Sequence, residues 1–251
     1  MSLDPQKLRI SLEHDVAVYA YEELDSTNNE AKRQVVRDSG SAALYIADSQ
    51  STGRGRLGRS FYSPSDSGLY MTLSLPVNGG ISGIQRLTCA AAVAVCEALY
   101  ELSPLSPRIK WVNDIYIGSR KVCGILAELI TDEDNHPSAV IIGIGVNLTT
   151  ASFPDELADK AGTVGDIEPE ALCAGITDRL MDMYYGDGGY MERYADLCFV
   201  PGQDISYSDR DGVHHAHAIG ISPDGGLIII EDGVQKTLSY GEISVRATEN
   251  S

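Results

Sequence analysis

Residues 49–65, SQSTGRGRLGRSFYSPS, decide how this chain is read. Gly53, Gly55 and Gly58 interleave with Arg54, Arg56 and Arg59, and no acidic residue interrupts them in a chain of net charge −17. Glycine lets the backbone take conformations closed to other residues and come close to a ligand. Guanidinium forks suit phosphate and carboxylate oxygens. The stretch reads as a flexible loop that folds over an anion, with a solvated surface loop as the plain alternative. Residues 53–58 also match the dinucleotide pattern GxGxxG, which requires a strand before it and a helix opening on its glycines. Ala43–Ala47 can supply the strand. After Gly58, however, Phe61, Pro64 and a Ser/Asp/Gly cluster read as loop, so no Rossmann unit is expected. No P-loop or kinase signature occurs elsewhere in the chain.

At 251 residues, 43% hydrophobic and 22% charged, the chain can build one large domain or a large and a small one. Its acidic balance argues against nucleic-acid or anionic-membrane partners, which call for a basic footprint. The N-terminus lacks an apolar segment of signal-peptide length, and no apolar run is long enough to span a bilayer. The five cysteines, Cys89, Cys96, Cys123, Cys173 and Cys198, are scattered and without a CxxC. They suit the core of a reduced, cytoplasmic protein.

Working outward from the loop, a strand is expected at Val16–Tyr21. A helix follows, opened by a Thr27/Glu30 capping box and closed near Ser39–Gly40. Ser26, Thr27 and Asn28 then either cap that helix or hold a polar ligand. Gln50, at the junction with the loop, can donate and accept at once. Leu69–Leu75 alternates as a strand, and Ile84–Leu102 is the clearest helix. Arg108–Ile117 turns at Gly118 into Lys121–Ile130, a hairpin. Lys110, between apolar neighbours and beside the sole tryptophan, Trp111, is either a snorkelling strand residue or an inward charge at a site. Asp114 can bind a metal or stabilise the turn. Ala139–Thr149 is an apolar strand buried on both faces. Its Gly143 and Gly145 mark close approach by a ligand or a neighbouring helix. Phe153–Gly165 reads as loop, and Glu168–Tyr185 and Gly189–Leu197 as helices.

From Cys198 the pattern changes to five short segments: Asp204–Tyr207, Val213–Ile221, Leu227–Glu231, Val234–Tyr240 and Ile243–Arg246. They read as a small β-barrel. His214, His215 and His217 invite a metal reading, but no Cys or acidic partner sits at ligand spacing, so they are read as strand residues.

The ordered set Asp25–Asn28, Gln50–Arg59, residues 61–64 (FYSP), Lys110–Asp114 (KWVND), Arg120–Glu128 (RKVCGILAE) and Gly143–Asn147 (GIGVN) resembles the biotin protein ligase family. Residues 220–227 and 241–246 fit as well, so the likeness covers roughly residues 20–247. Two departures are Val112 where proline is usual and Phe61-Tyr62 where tryptophan is usual. The resemblance implies an α+β fold: a mixed, mainly antiparallel sheet with packed helices over residues 1–197, and a small SH3-like β-barrel over residues 198–251. It is similar to the shorter type without an N-terminal DNA-binding domain, so operator binding is not implied.

The resemblance further implies ATP-dependent activation of biotin to biotinyl-5′-AMP, with Mg²⁺ accompanying the ATP. The biotinyl group then passes to a lysine of a biotin carboxyl carrier protein. By position, Ser26, Thr27, Asn28 and Gln50 surround the biotin ring, with Gly124 close by. Gly53, Arg54, Gly55, Arg56 and Lys110 surround its carboxylate and the phosphate, and Arg56 and Lys110 are the catalytic pair. Trp111, Asn113 and Asn147 meet the nucleotide, together with Arg54 and Arg56. No direct metal ligand, nucleic-acid partner or membrane partner is implied, and the assembly is a monomer or homodimer. The alternatives are a lipoate-type acyl ligase of the same architecture and a non-catalytic biotin-binding regulator.

Overall fold

The computed structural model describes residues 3–35, 37, 40–77, 83–186, 189–209, 212–239 and 243–245. In chain order the elements are α1 (Pro5–Ser11), β1 (Ala17–Leu24), α2 (Thr27–Val35), β2 (Ala43–Gln50), β3 (Gly68–Pro76) and α3 (Ile84–Leu102). Then come β4 (Arg108–Lys110), β5 (Asp114–Ile117), β6 (Arg120–Thr131), β7 (Pro137–Asn147), α4 (Asp155–Ala158), α5 (Pro169–Tyr185) and α6 (Tyr190–Leu197). The last five strands are β8 (Asp204–Asp209), β9 (Gly212–Ile221), β10 (Leu227–Glu231), β11 (Val234–Leu238) and β12 (Ile243–Val245).

The first sheet has seven strands in the order β1-β2-β3-β7-β6-β5-β4. Only β1 and β2 run parallel, because α2 carries the chain back over the sheet between them; the other neighbours are antiparallel. The sheet is therefore mixed and mainly antiparallel, as expected. Strand β7 lies between β3 and β6 and is buried along nearly its whole length, which explains its lack of alternation. On one face α3 packs with α5 and α6, and Leu87–Cys96 of α3 is buried without a break. On the other face lies α2, over Tyr45, Ala139 and Ile141. The C-terminal strands form a separate five-stranded antiparallel sheet in the order β11-β10-β9-β8-β12.

Four details differ from the sequence reading. Helix α1 was not expected; Asp4 caps it by accepting from the Gln6 and Lys7 amides, and Pro5 opens it. The Arg108–Ile117 strand is in fact two, β4 and β5, folded on each other so that Lys110 pairs with Asp114. The 153–165 loop contains the one-turn α4. The capping box at Thr27 does not form, for reasons given below. The expected ends at Ser39, Tyr240 and Arg246 lie outside the described residues.

The candidate active site

A cavity of about 500 Å³ opens between α2, the 51–60 loop, β4–β6 and the C-terminal half of β7. Its roof is the glycine–arginine loop, which is a small hairpin. The Phe61 amide donates to the Gly53 carbonyl and the Gly55 amide to the Arg59 carbonyl, each at 2.8 Å. The tip, Arg56–Gly58, is one 3-10 turn with Leu57 at φ 55° and Gly58 at φ 76°. A Cβ on Gly53 would lie 2.4 Å from the Phe61 carbonyl oxygen, so glycine alone closes this hairpin.

At one end the lining is uncharged and buried. Ser26, Thr27 and Asn28 are only 1%, 3% and 4% exposed, which removes them from the role of surface caps. The Thr27 amide and hydroxyl both reach Gln50 Oε1, at 2.8 and 3.2 Å, while Gln50 Nε2 donates to Ser63 Oγ at 2.9 Å. Thr72, fully buried on β3, lies 2.8 Å from the Thr27 hydroxyl and donates to Asn28 Oδ1 at 2.7 Å. These partners take up Thr27, while the Glu30 carboxylate is held by Arg33 and Gln34. The capping box therefore has no free members. Ser26 instead opens the helix, its carbonyl accepting from the Glu30 amide at 3.0 Å.

At the other end the lining is cationic. Arg54, Arg56, Arg59, Lys110, Lys121 and Lys160 line the cavity against one carboxylate, Asp114. Of the three loop arginines, Arg54 turns back beside the Asn28 end, reaching Asn29 and Glu128 at 3.2 and 3.3 Å, whereas Arg56 reaches Asn113 Oδ1 at 3.0 Å. The Lys110 ammonium stands 5.9 Å from the centre of the Tyr116 ring. Burial, then the charge of Asp114, pushes the Tyr116 phenol above its ordinary pKa, so it stays neutral.

The turn at 111–113 is pinned on every side. The Trp111 indole donates to the Gly225 carbonyl at 2.9 Å, and the Tyr194 hydroxyl to the Val112 carbonyl at 3.0 Å. Asn113 Nδ2 donates to the Ile125 carbonyl at 3.0 Å, and the Asn113 carbonyl accepts the Ile125 amide at the same distance. The Trp111–Val112 peptide is cis, at the position where the resemblance expects proline.

Of the residues picked from sequence, Ser26, Thr27, Asn28, Gln50, Arg54, Gly55, Arg56, Lys110, Trp111, Asn113 and Gly124 line this cavity. Gly53 and Asn147 are not among its lining residues; Gly53 shapes the loop from behind, and Asn147 Nδ2 donates to the Gly162 carbonyl at 3.1 Å. Gly143 and Gly145 make room for protein: a Cβ on Gly143 would lie 1.9 Å from Asn28 Oδ1, and one on Gly145 2.5 Å from the Phe61 ring. Sequence reasoning missed Lys121, Lys160, Tyr116 and Phe61. Lys121 was detectable, because folding 108–128 as two hairpins brings it to Asp114, and they meet at 2.7 Å. Asp114 is thus half of an ion pair. In the second sheet His214 bonds Asp209 and Glu231, at 2.9 and 3.0 Å, and His217 bonds Asp204 at 2.8 Å, partners that sequence spacing did not reveal.

A mainly antiparallel sheet, a cavity with one neutral polar end and one cationic end, and a glycine–arginine roof define a protein that binds a polar, anion-bearing ligand. The chain belongs to the biotin/lipoate A/B protein ligase family, whose model matches residues 21–147. Within it the chain is a homologue of the biotin protein ligases: residues 202–246 match the biotin protein ligase C-terminal domain. It is 30% identical over 258 residues to the bifunctional ligase/repressor BirA of Bacillus subtilis (strain 168), covering 94% of this chain and 78% of that one. It is 39% identical over 160 residues to the biotin–[acetyl-CoA-carboxylase] ligase of Paracoccus denitrificans, covering 63% of each. The biotin protein ligase from Aquifex aeolicus in complex with biotin and ATP superposes with a TM-score of 0.75 at 26% identity, over 92% of this chain and 98% of that one.

Proposed function

We propose that this cavity joins biotin to ATP, forming biotinyl-5′-AMP and pyrophosphate, and then passes the biotinyl group to a lysine amine of a biotin carboxyl carrier protein. The observation that carries this reading is the polarity of one continuous cavity, neutral and hydrogen-bonding at Ser26, Thr27, Asn28 and Gln50 and cationic at Arg56, Lys110 and Lys121. A ureido ring needs donors and acceptors, which the first end has. A carboxylate and an α-phosphate must be brought together against their repulsion, which the second end relieves. The same polar end disfavours lipoate, whose dithiolane ring has no N–H to offer the remaining acceptor capacity of Asn28 and Gln50.

In this reading Arg56 and Lys110 hold the carboxylate and the phosphoryl oxygens. Lys121, next to Gly124, joins them. Arg54 exchanges Glu128 for the pyrophosphate side. Trp111 and Asn113 bound the nucleotide, and Asn147 supports the segment around Gly162 behind it. The loop keeps water from the mixed anhydride until the carrier lysine arrives. Magnesium would accompany ATP, with Asp114, paired with Lys121, as the carboxylate on the cavity wall. Residues 1–197 are assigned the chemistry, and strands β8–β12 are read as the separate small barrel. Among the described residues no helix is long and apolar enough to cross a membrane. All five cysteines are free and buried, which suits a reducing cytoplasm. The working unit is a monomer or homodimer.

The test is mass spectrometry of a biotin carboxyl-carrier domain after incubation with the protein, Mg-ATP and biotin. One biotinyl increment on one lysine is expected. No increment and no biotin-dependent pyrophosphate release would overturn the reading.

A further inference from the structure

The amide of Asn28 is held in one orientation by a carboxylate behind it. Asn28 Nδ2 donates to Glu128 Oε2 at 3.0 Å and to the Leu126 carbonyl at 3.3 Å, so both of its protons are taken up by β6. Both partners accept, and neither can donate while Glu128 is ionised. Lys32 holds the other oxygen, Oε1, at 2.7 Å, and Arg54 approaches Oε2 at 3.3 Å. Partial burial works against the charged form of Glu128. The hydrogen bonds from Lys32 and Asn28 and the charges of Lys32 and Arg54 outweigh it and keep the pKa below the ordinary glutamate value. On the other side of the amide, the Thr72 hydroxyl has one proton and gives it to Asn28 Oδ1 at 2.7 Å. Turning the amide over would set its oxygen against Glu128 and the Leu126 carbonyl, two acceptors facing an acceptor.

We infer that Glu128 is a specificity-determining positioning residue: by fixing the Asn28 amide it makes this end of the cavity an acceptor, which selects an acyl acid whose ring carries an N–H donor. Glu128 is not among the cavity's lining residues; it acts through Asn28. This rests on the reading that the Asn28 end receives the ring of biotin, and it adds what decides the polarity of that end. A dithiolane ring has no N–H, so the same device rejects it. Leaving a buried acceptor or the ligand's own donor unpaired costs on the order of one to two powers of ten in binding.

The test is calorimetric titration of the full-length protein with biotin, followed by steady-state kinetics. In Glu128→Gln the new amide must turn its oxygen to Lys32 and its NH₂ to Asn28. Asn28 then loses a partner or flips. The expected result is a roughly 10- to 100-fold weaker biotin affinity and a matching rise in KM for biotin, with kcat at saturating biotin changed only a few-fold. Asn28→Asp alone, which sets two carboxylates side by side, also binds weakly. The swap Asn28→Asp with Glu128→Gln restores one acceptor facing the cavity and one donor behind it, and is expected to recover at least tenfold of the loss. If Glu128→Gln does not fold, the comparison of Asn28→Asp with the swap decides in the same way. Unchanged biotin affinity in a folded Glu128→Gln, or a swap as weak as Asn28→Asp, overturns the inference while leaving the ligase reading intact. A wild type that takes no biotin overturns both.

Discussion

Lys121 and Asp114 meet at 2.7 Å on the wall of the cavity, and Lys110 stands nearby over Tyr116. An ammonium beside a lone carboxylate in a cleft with five other cations is not needed for stability; partly exposed ion pairs contribute little. Its charge is better accounted for by the reaction, in which two anions meet and charge grows on phosphoryl oxygens. We expect Lys110→Ala and Lys121→Ala each to slow biotin-dependent pyrophosphate exchange by on the order of 10² to 10³. Transfer from preformed biotinyl-5′-AMP to the carrier should fall only a few-fold. Normal exchange in either variant would remove that lysine from the first step.

The 51–60 hairpin is the element on which retention of the intermediate depends. Gly53 lies under the Phe61 carbonyl and the Ser63 hydroxyl, at 2.4 and 2.6 Å from where a Cβ would stand. In Gly53→Ala the strands of the hairpin must part, and Arg56 loses its place against Asn113. The expected outcome is a folded protein that makes biotinyl-5′-AMP and releases it. Rapid-quench analysis should find free adenylate in solution at several times the wild-type level, and wild-type retention would count against a closing role for the loop. The place of this element at the cavity was signalled in the sequence because glycine and arginine carry their physical uses openly. The long helix α3 and strand β7 were legible for a similar reason, their apolar content extending over 19 and 11 residues. The split of Arg108–Ile117 was not: no Gly or Pro marks Trp111–Asn113, and the turn there is held by Tyr194, Ile125 and Gly225, outside the stretch itself. Thr72 and Glu128 were hidden likewise, since their partners come from α2 and the loop. The Asn147 amide has a partner that the sequence did not reveal, the Gly162 carbonyl.

At the scale of the molecule, the second sheet carries its own charge cluster and also touches the site. His214, stacked on Tyr207, bonds Asp209 and Glu231, and Lys236 pairs with Glu231. The hydrogen bond that the imidazolium donates to Asp209, then that to Glu231, raise the His214 pKa above its ordinary value despite some desolvation. A raised histidine pKa contributes stability that is complete below the unfolded value near 6.5 and is lost as pH rises through the folded value. The melting temperature of His214→Gln should therefore fall below wild type at pH 6 and converge with it toward pH 9; a constant difference would refute the linkage. The contact with the site runs through Gly225, whose carbonyl accepts both the Trp111 indole, at 2.9 Å, and Gln85 Nε2, at 2.8 Å. Gly225 has φ +84°, and a Cβ there would lie 2.7 Å from Cys89 Sγ. Gly225→Ala must then move the turn away from α3 and release the indole, leaving the Trp111 side of the cavity unsupported. Because Trp111 is the only tryptophan, its fluorescence reports this directly. We expect a red-shifted emission in Gly225→Ala and a KM for ATP raised about tenfold, with biotin affinity unchanged, since the Asn28 end is held by α2, β3 and β6 and not by the second sheet. Gln85→Ala, which removes one of the two donors and leaves the backbone in place, should shift neither emission nor KM by more than a small fraction of that. An unshifted emission in a folded Gly225→Ala would mean that Trp111 is positioned from within the first sheet alone.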